Sequence, residues 1–348
     1  MIKFVIDTYR LNTKYKNSAV SNYANKIVEC LKKQGVKIFE LNGIVKNREL
    51  NKFIYRLFYR LWVKLKNKEA IFILPYNPDF LIPYFNYIVF YDLIPIQSQG
   101  NFLKRMYYYY AYLVNFLFAK KVITFSNVVR NEVIKIFPFK GKIGKKIYIV
   151  PPFIEEAFFE PINLKKIRPH ILNLKDSMFI LAFGTGEPRK NIERVFQFIK
   201  NTNLTNKRLV LFGNNWNGVG YNNVKKLQIK YRINNILHLG RISTEELKFL
   251  MSKCEFFIYP SKAEGIGLPP IEALSCGAKV IASDIPVHRE FLKDFAFYIP
   301  LHNDITKDNE ILKKVENTTI DKETQIKFCK ENYRFDIFCN KFWKILKS

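Results

Sequence analysis

The 348-residue sequence is poor in cysteine, histidine and acidic residues. Its five cysteines are scattered and include no CxxC pair, a pattern typical of reduced thiols that fill a core rather than of a disulfide scaffold. The four histidines form no cluster and no Asp-x-Asp pair is present, so we expect no metal site. The longest uncharged run, Met106–Ala119, is shorter than the roughly 20 residues of a spanning helix. These absences predict a soluble or peripheral protein, and the start MIKFVIDTYR is typical of a strand rather than a signal peptide.

The shortage of acidic residues leaves a large positive charge. The sequence has 57 Lys and Arg against 30 Asp and Glu, a net charge of +27, of which +18 falls in residues 1–150. This asymmetry predicts that the first half faces an anionic partner such as a membrane leaflet, a lipid phosphate or a nucleic acid. A nucleic-acid-binding protein is the weaker alternative, because the sequence has no helix-turn-helix, zinc or stacking-platform signature.

Short apolar runs alternate with helical patterns along the chain, which predicts βα units and parallel sheets. Six strands are predicted before the proline-containing stretch 151–176 and six after it. The length exceeds what one core covers, so we predict an α/β fold with two doubly wound, Rossmann-like parallel-sheet domains, residues 1–160 and 161–334. Helical patterns near 307–333 and 335–347 close the chain. Such domains bind ligands at the carboxyl ends of their strands, here in a cleft that the two domains are expected to face.

The strongest chemical pattern lies in residues 256–290, where a buried strand is followed by a glutamate, a Gly-Ile-Gly loop and a helix. Gly265 and Gly267 let the backbone approach a ligand and leave amides at a positive helix terminus, which suits an anion. Carboxylates accept hydrogen bonds from hydroxyl groups. Glu264 and Glu272, on either side of this loop, therefore fit a diphosphate flanked by two polyols. The alternative is a solvated acidic pair beside an ordinary strand–helix turn.

A second pattern, FILAFGTGEPRKN at 179–191, combines a strand, a glycine turn and a basic helix start. Arg189 and Lys190 would hold a diphosphate as charge accumulates on the leaving group. The alternative is that both cations are solvated near a helix end.

The run PSKAEGIGLPPIEALSCGAKVIAS resembles the donor-site signature of the retaining glycosyltransferases of family 4, which have the GT-B fold. The Gly-…-Pro-Arg-Lys-Asn segment is similar to that of mannosyltransferase-like members. The resemblance implies that Glu264 contacts the transferred sugar and Glu272 the nucleotide ribose. It implies a catalytic set of Glu264, Arg189, Lys190 and Asp92, and a donor-binding set of Gly184, Thr185, Arg241, Ser261, Gly265, Ile266, Gly267, Leu268 and Glu272.

Two segments depart from the family pattern. YDLIPI at 91–96 resembles a His-Asp-Leu-x-Pro loop, but Tyr91 stands at the position of the His. Asp92 is predicted as an acceptor-side residue, with a capping Asp in a turn as the alternative. The segment NSAVSNYANKIVECL resembles the family's glycine-rich loop and first helix but contains no glycine, so Ser18, Ser21 and Asn22 are left to donate side-chain hydrogen bonds.

A basic, aromatic helix is predicted near 47–68. Lys52, Arg56, Arg60 and Lys64 recur every four residues, and Trp62 lies among the apolar residues between them. This pattern suits a bilayer interface, and the alternative is a domain helix with a solvated basic stripe.

Together these patterns predict a retaining hexosyltransferase, with a mannose-like sugar favoured. It would use a nucleoside-diphosphate sugar and no cofactor or metal, and its acceptor would be lipid-linked or a saccharide in surface polysaccharide or glycolipid synthesis. We expect residues 1–160 to bind the acceptor and an anionic membrane, with helix 335–348 packed back on them, and residues 161–334 to bind the donor. The expected location is cytoplasmic, peripheral at the inner face of the membrane, with no nucleic acid partner. The alternative is a non-catalytic glycosyltransferase-like partner or scaffold subunit.

Overall fold

A computed structural model describes residues 3–7, 19–41, 65, 70–78, 85–97, 101–184, 187–213 and 219–348. The chain divides into two compact units, residues 1–151 with 338–348 and residues 152–337. Segment 152–160, predicted for the first domain, packs on the second unit instead. Ile154 N donates to Tyr333 O at 3.0 Å, and Arg334 pairs with Glu156 at 3.0 Å. The boundary falls at the proline pair because these backbone and ionic contacts hold the following residues to the end of the second unit.

The first unit contains a six-stranded parallel sheet of order β2-β1-β3-β4-β5-β6. Its strands are short apolar runs because helices cover both faces of a parallel sheet. They are β1 Lys3–Asp7, β2 Lys37–Leu41, β3 Ile71–Leu74, β4 Tyr87–Val89, β5 Lys121–Thr124 and β6 Ile147–Ile149.

The helices described in this unit are α1 Ala19–Lys33, α2 Ile94–Gln97, α3 Phe102–Phe118, α4 Asn127–Ile136 and α5 Lys140–Gly144. Side-chain caps begin two of them: Asn101 accepts from the first amides of α3, and Ser126 accepts from Val129 N in α4. The helix predicted near 47–68 lies outside the described residues.

The closing helix α14, Phe335–Lys347, contributes residues 338–348 to the first unit. Lys121 Nζ donates to Ile345 O at 2.5 Å, and Cys30 in α1 forms a disulfide with Cys339 in α14. The prediction that all five cysteines are reduced was therefore wrong for this pair. The two cysteines are 309 positions apart, and only the return of α14 to the first unit brings them together. Cys254, Cys276 and Cys329 are free thiols.

The second unit contains another six-stranded parallel sheet, of order β12-β11-β10-β7-β8-β9. Its central strands β7, β8, β10 and β11 are almost wholly buried, as expected for strands covered on both faces. The strands are β7 Phe179–Phe183, β8 Arg208–Phe212, β9 Ile236–Gly240, β10 Phe256–Tyr259, β11 Val280–Ser283 and β12 Ala296–Ile299.

Eight helices are described in this unit. They are α6 Pro169–Leu172, α7 Ile192–Asn201, α8 Val219–Tyr231, α9 Thr244–Lys253, α10 Leu268–Ser275, α11 Pro286–Leu292, α12 Ile305–Asn317 and α13 Lys322–Tyr333. The single helical pattern predicted near 307–333 is two helices. Thr318 Oγ1 donates to Lys314 O and ends α12, and Asp321 accepts from Thr324 N and begins α13.

A buried ion pair joins α7 to α12 in the core of the second unit. Arg194 is 1% exposed and its guanidinium donates to both carboxylate oxygens of Asp308. Arg194 Nε donates to Pro300 O at 3.0 Å, and Asn201 Nδ2 donates to Asp308 at 2.8 Å. Every polar atom that this pair buries near the helix contact thus has a partner, which is the condition under which a buried charge is tolerated.

Candidate active site

Three neighbouring strands of the second sheet end at the same edge, and the predicted donor residues follow them. β10 pairs in parallel with β7 on one side and with β11 on the other. Gly184 follows β7, the loop 260–267 follows β10, and Ser283 ends β11. Parallel strands place their carboxyl ends together, so residues from three separate parts of the chain meet here.

Glu264 is the centre of this edge, and its side chain is 8% exposed. Its carboxylate accepts a hydrogen bond from each of four side chains: Lys190 at 2.7 Å, Arg189 at 2.8 Å, Ser261 at 2.6 Å and Tyr259 at 2.9 Å. Burial alone would raise the pKa of Glu264, but the ion pairs with Lys190 and Arg189 outweigh it and lower the pKa to about 2. The carboxylate is therefore ionised throughout the neutral range.

Lys190 is held inside the fold by more than this carboxylate. It ends the 3-10 turn Pro188–Lys190, and its ammonium also donates to the Tyr259 hydroxyl. The ammonium lies 5.3 Å from the centre of the Phe183 ring and 5.0 Å from that of Tyr259, both suitable for cation–π attraction. Burial lowers the pKa of Lys190, and the Glu264 carboxylate opposes that shift. The structure thus fixes a cation at the carboxyl end of β7 and β10.

Arg189 differs from its neighbour because its side chain is about one third exposed. Nη1 contacts Glu264, and Nε lies 3.0 Å from a carboxylate oxygen of Glu187. A guanidinium has five N–H donors, more than these two contacts use. Arg189 can therefore keep Glu264 in place and still present donors to an anion from solvent.

The His288 ring packs against the glycine loop at Gly267. Gly267 has a left-handed backbone with φ of 78°, and a Cβ there would lie 3.1 Å from the His288 ring. The imidazole is buried, and Nδ1 donates to Ser283 O at 3.0 Å. Burial lowers the pKa of His288 to about 4, so the ring is neutral. The Ser283 hydroxyl in turn donates to Ser261 O, which ties β11 to the loop that carries Glu264.

Glu272 lies in α10, the helix that follows this loop, and is half-buried. Burial, followed by the negative charge of Glu155, raises the pKa of Glu272 to about 8. Unlike Glu264, this carboxyl is therefore mostly protonated at neutral pH. A protonated carboxyl both donates and accepts, which suits a pair of sugar hydroxyls.

The other predicted donor residues are distributed around the same edge of the sheet. Gly265 and Ile266 are buried in the loop, and Leu268 is the first residue of α10. Arg241 is exposed just after β9, and its carbonyl accepts from Arg168 Nη2 at 3.4 Å. Thr185 lies outside the described residues. So do Ser18 and the predicted membrane residues Lys52, Arg56, Arg60, Trp62 and Lys64.

Asp92 belongs to the first unit. Its carboxylate accepts from Ile94 N at 3.1 Å at the start of α2, as a turn-capping Asp does. The ring of Tyr91 is buried, and its hydroxyl donates to Pro75 O at 3.1 Å. Ser21 is buried in α1 and Asn22 is exposed. An acceptor-side role for Asp92 stays a prediction.

Sequence reasoning missed Tyr259 and Ser283. Tyr259 is the last residue of β10, and a hydroxyl-bearing aromatic side chain at the end of a buried strand, just before an acidic loop, was the available signal. Ser283 ends β11 and acts through a loop more than twenty residues earlier, so only the pairing of β10 with β11 reveals it.

The described residues contain no group of three His, Cys, Asp or Glu side chains placed to hold a metal ion. They also contain no helix that combines the length and the apolar character needed to cross a membrane.

The sequence profile of the family described as glycosyl transferases group 1 matches residues 165–334, which lie within the second unit. The second unit is thus similar to the glycosyl transferases group 1 family over almost its whole length. The match covers Glu264, Glu272, Arg189 and Lys190, and so confirms the predicted resemblance to the glycosyltransferases of family 4.

Two relatives in sequence are named as mannosyltransferases. The chain is 27% identical over 251 residues to the O-antigen chain mannosyltransferase RfbU of Salmonella typhimurium, which covers 71% of this chain and 65% of that protein. It is 30% identical over 185 residues to the O-antigen chain mannosyltransferase B of Escherichia coli, covering 51% of this chain and 46% of that protein. The chain thus matches less than two thirds of the length of these relatives.

Solved structures share the fold across the whole chain. Sucrose-phosphate synthase from Thermosynechococcus elongatus has a TM-score of 0.72 at 16% identity, covering 100% of this chain and 98% of that one. Anabaena HepE, solved in complex with UDP and glucose, has a TM-score of 0.71 at 12% identity and covers 100% of both chains. The predicted fold class, two doubly wound parallel-sheet α/β domains of the GT-B type, is confirmed.

Proposed function

We propose that this protein is a retaining glycosyltransferase that transfers a hexose, with mannose favoured, from a nucleoside-diphosphate sugar. The proposed acceptor is lipid-linked or a saccharide, in the synthesis of a surface polysaccharide or glycolipid. The names of the two O-antigen mannosyltransferase relatives support this sugar and this pathway class. HepE was solved with UDP and glucose, which supports a nucleotide-sugar donor for this protein.

The observation that carries the proposal is the Glu264 carboxylate, held by four side chains beside the glycine loop. Placing one carboxylate between a lysine and an arginine fixes both cations and the acceptor oxygens within a few ångströms. A hydroxyl-rich sugar attached to a diphosphate requires both kinds of partner at that spacing. An ordinary strand–helix turn would not bury a carboxylate and an ammonium together, as Glu264 and Lys190 are buried here.

In the proposed reaction the acceptor hydroxyl attacks the anomeric carbon on the face from which the diphosphate leaves. The bond between that carbon and the diphosphate breaks, and the hydroxyl proton passes to an oxygen of the leaving phosphate. Arg189 and the backbone amides of Gly265–Leu268, which precede the two prolines at the start of α10, receive the charge that develops on the leaving phosphate, since helix N-termini attract anions. Lys190 keeps its position through Glu264 and Tyr259, so it adds positive charge without reorganisation. Same-face attack without an enzyme nucleophile is taken from the family resemblance.

We propose that the reaction needs no metal or other cofactor, because the cations of the site replace a bridging metal. Activity should then persist in excess EDTA. A loss of activity in EDTA that Mg²⁺ or Mn²⁺ restores would contradict this part of the proposal.

We further propose that the protein is cytoplasmic and associates peripherally with the inner face of an anionic membrane, where a lipid-linked acceptor would be presented. The charge of the first 150 residues, +18, supports this location. The predicted basic stripe from Lys52 to Lys64 is one candidate for the contact and remains a prediction. Nucleic acid is not proposed as a partner.

The donor test begins with a thermal-shift panel of nucleotide sugars, since a ligand at 100 times its Kd stabilises a protein by about 2.7 kcal/mol. Release of the nucleoside diphosphate from the best donor then measures turnover. Glu264→Gln should lower that turnover by about 100-fold or more, whereas the control Glu187→Gln, at the exposed partner of Arg189, should change it little. Glu272→Ala should chiefly weaken donor binding.

The alternative, a non-catalytic partner or scaffold subunit, predicts a different outcome from the same panel. A scaffold would bind no nucleotide sugar, or would bind one without releasing the diphosphate in the presence of any acceptor. Nuclear magnetic resonance of the product's anomeric signal distinguishes retention from inversion.

A further inference from the structure

Helix α3 of the first unit is apolar on its exposed side. Leu103, Tyr107, Tyr110 and Phe118 recur at spacings of four, three and eight residues, which places them on one face of the helix. All four are exposed, Leu103 by 75% and Phe118 by 69%. A surface helix normally turns its polar residues outward. Here the amide of Asn115 is buried instead, where it donates to Ala111 O.

The segment that follows α4 adds a second exposed phenylalanine. Phe137 packs on α3, with its ring centre 5.0 Å from that of Tyr109 and 5.4 Å from that of Phe116. Two residues later, Phe139 is 62% exposed and has a left-handed backbone with φ of 61°. This conformation is unfavourable for a residue with a Cβ, because the Cβ comes too close to the following carbonyl oxygen. A strained backbone that holds a phenylalanine in solvent indicates that the side chain has a function there.

This segment lies beside the carboxyl end of α3. Lys146 Nζ donates to Leu117 O and to Ala119 O, both at 2.8 Å, so residues 140–146 return to the turn that carries Phe118. We call the exposed side of α3 together with residues 138–146 the α3–α5 face.

The charge of the α3–α5 face has one sign. Between Asp92 and Glu155 the sequence contains ten Lys and Arg but only one acidic residue, Glu132. The basic side chains that the structure exposes on or beside this face are Lys104, Arg105, Lys120, Lys140, Lys142 and Lys145. Apolar side chains are thus flanked by cations that far outnumber the one carboxylate in this part of the sequence.

We propose that the α3–α5 face docks on an anionic lipid bilayer, with Phe118 and Phe139 inserted among the acyl chains and the lysines on the headgroup phosphates. Aromatic tips flanked by lysine are the composition that partitions to a membrane interface. A second copy of the chain is disfavoured because two such faces would repel each other. A nucleic acid is disfavoured because its binding surfaces are polar, whereas this stripe is apolar along the length of α3.

The proposal deepens the membrane association proposed above but uses residues other than Lys52 to Lys64, so each contact can fail separately. The experiment sediments the full-length protein with vesicles of phosphatidylcholine alone and of equal parts phosphatidylcholine and phosphatidylglycerol. Phe118→Ser with Phe139→Ser removes the apolar tips, and Lys140→Glu with Lys142→Glu and Lys145→Glu reverses the charge. The matched controls are Met178→Ser with Ile229→Ser, which are equally exposed in the second unit, and Lys226→Glu with Lys313→Glu and Lys330→Glu.

We expect the wild type to bind only the anionic vesicles, and each test variant to bind them at least about tenfold more weakly because both apolar insertion and lysine attraction contribute. The controls should bind like the wild type. Every variant should keep the wild-type thermal midpoint and donor turnover, since none of these residues belongs to the donor site. In Phe139→Trp, the added emission should shift to shorter wavelength on anionic vesicles.

Three outcomes would overturn the proposal. The test variants could sediment with anionic vesicles as the wild type does, which would assign binding to another surface. The test and control variants could lose the same amount of vesicle binding, which would show that net charge alone, and not this face, determines the binding. The wild type could ignore vesicles and bind DNA in a salt-dependent manner. Absence of donor turnover in the wild type would instead contradict the proposed function and leave the vesicle result standing.

Discussion

Positive charges are used in opposite ways in the two units. In the second unit, Lys190 and Arg194 are buried and each meets a carboxylate inside the fold. In the first unit, the cations around α3 and α5 lie on the surface, and the sequence offers them a single acidic neighbour, Glu132. A buried pair holds its members in one geometry because breaking it leaves an unpaired charge in a low dielectric. Surface cations are not held in one position by a partner, but their electrostatic attraction extends over a Debye length of about 10 Å at 0.1 M salt.

The difference matches the two tasks that we propose. Recognition of a donor requires groups at fixed distances, and the four hydrogen bonds to Glu264 supply them. Adhesion to a fluid anionic surface requires charge and exposed apolar side chains but no fixed partner. Four predictions separate the two uses, beginning with the largest expected effect.

Removing the carboxylate of the buried core pair should destabilise the second unit strongly. Asp308→Ala leaves Arg194 buried without its partner, and we expect a loss of about 3–5 kcal/mol in the free energy of unfolding. The matched control is Asp284→Ala, which removes the exposed partner of Arg289 and should cost less than about 1 kcal/mol. Urea unfolding of both variants measures the two values, and equal losses would show that burial does not set the importance of a pair in this protein.

Removing the buried cation of the donor site should lower turnover more than stability, because Arg189 still pairs with Glu264. Lys190→Met keeps the length of the side chain but removes the charge, and we expect donor turnover to fall by about 100- to 1000-fold. Lys262→Met, at an exposed lysine in the loop that carries Glu264, should retain turnover within about threefold. Steady-state release of the nucleoside diphosphate checks both. Wild-type turnover in Lys190→Met would mean that this buried ammonium only supports the fold.

The first unit should depend on a covalent link where the second depends on ion pairs. Denatured without reductant, the protein should titrate three thiols, because Cys30 and Cys339 are joined. Cys339→Ser should lower the free energy of unfolding by about 2–4 kcal/mol under non-reducing conditions. Under reducing conditions the difference from the wild type should largely vanish. A count of five thiols would show that all the cysteines are reduced, as the sequence predicted, and would contradict the disulfide.

The raised pKa of Glu272, a carboxyl whose pKa no cation lowers, predicts how the stability of the second unit depends on pH. Because the folded pKa of about 8 lies above the ordinary 4.5, the folded state retains a proton that the unfolded state releases between these values. Stability should therefore fall as the pH rises from about 5 to 8 and then level off. Glu272→Gln removes this loss, so it should match the wild type at pH 5 and be more stable by about 1–2 kcal/mol at pH 9, a value discounted because the side chain is only half-buried.

Thermal midpoints measured across this pH range check the last prediction. Glu264→Gln provides the contrast, because the pKa of Glu264 is lowered rather than raised. Its stability difference from the wild type should stay constant between pH 5 and 9. A wild-type slope that Glu272→Gln retains would assign the pH dependence to another group.

The sequence predicted the parts of this structure that depend on local patterns. All twelve described strands coincide with short, mostly apolar runs, because helices cover both faces of a parallel sheet. The loop from Glu264 to Gly267 was equally visible in the sequence. Its two glycines, followed by a proline at the start of α10, are typical of a turn that leads into a helix. The break at Thr318–Asp321 was missed because its polar residues also suit the exposed face of a continuous helix.

What the sequence by itself determined is therefore the order of βα units, the family resemblance of the second unit and the residue types of its donor loop. The tertiary structure alone decided which residues that are distant in sequence come into contact. Tyr259, Ser283 and His288 support the Glu264 loop only because parallel pairing brings the ends of β10 and β11 together. The disulfide and the buried Arg194–Asp308 pair arise in the same way, from contacts between helices far apart in sequence. Local propensity acts over a few residues, whereas burial and charge pairing depend on which surfaces the folded chain encloses.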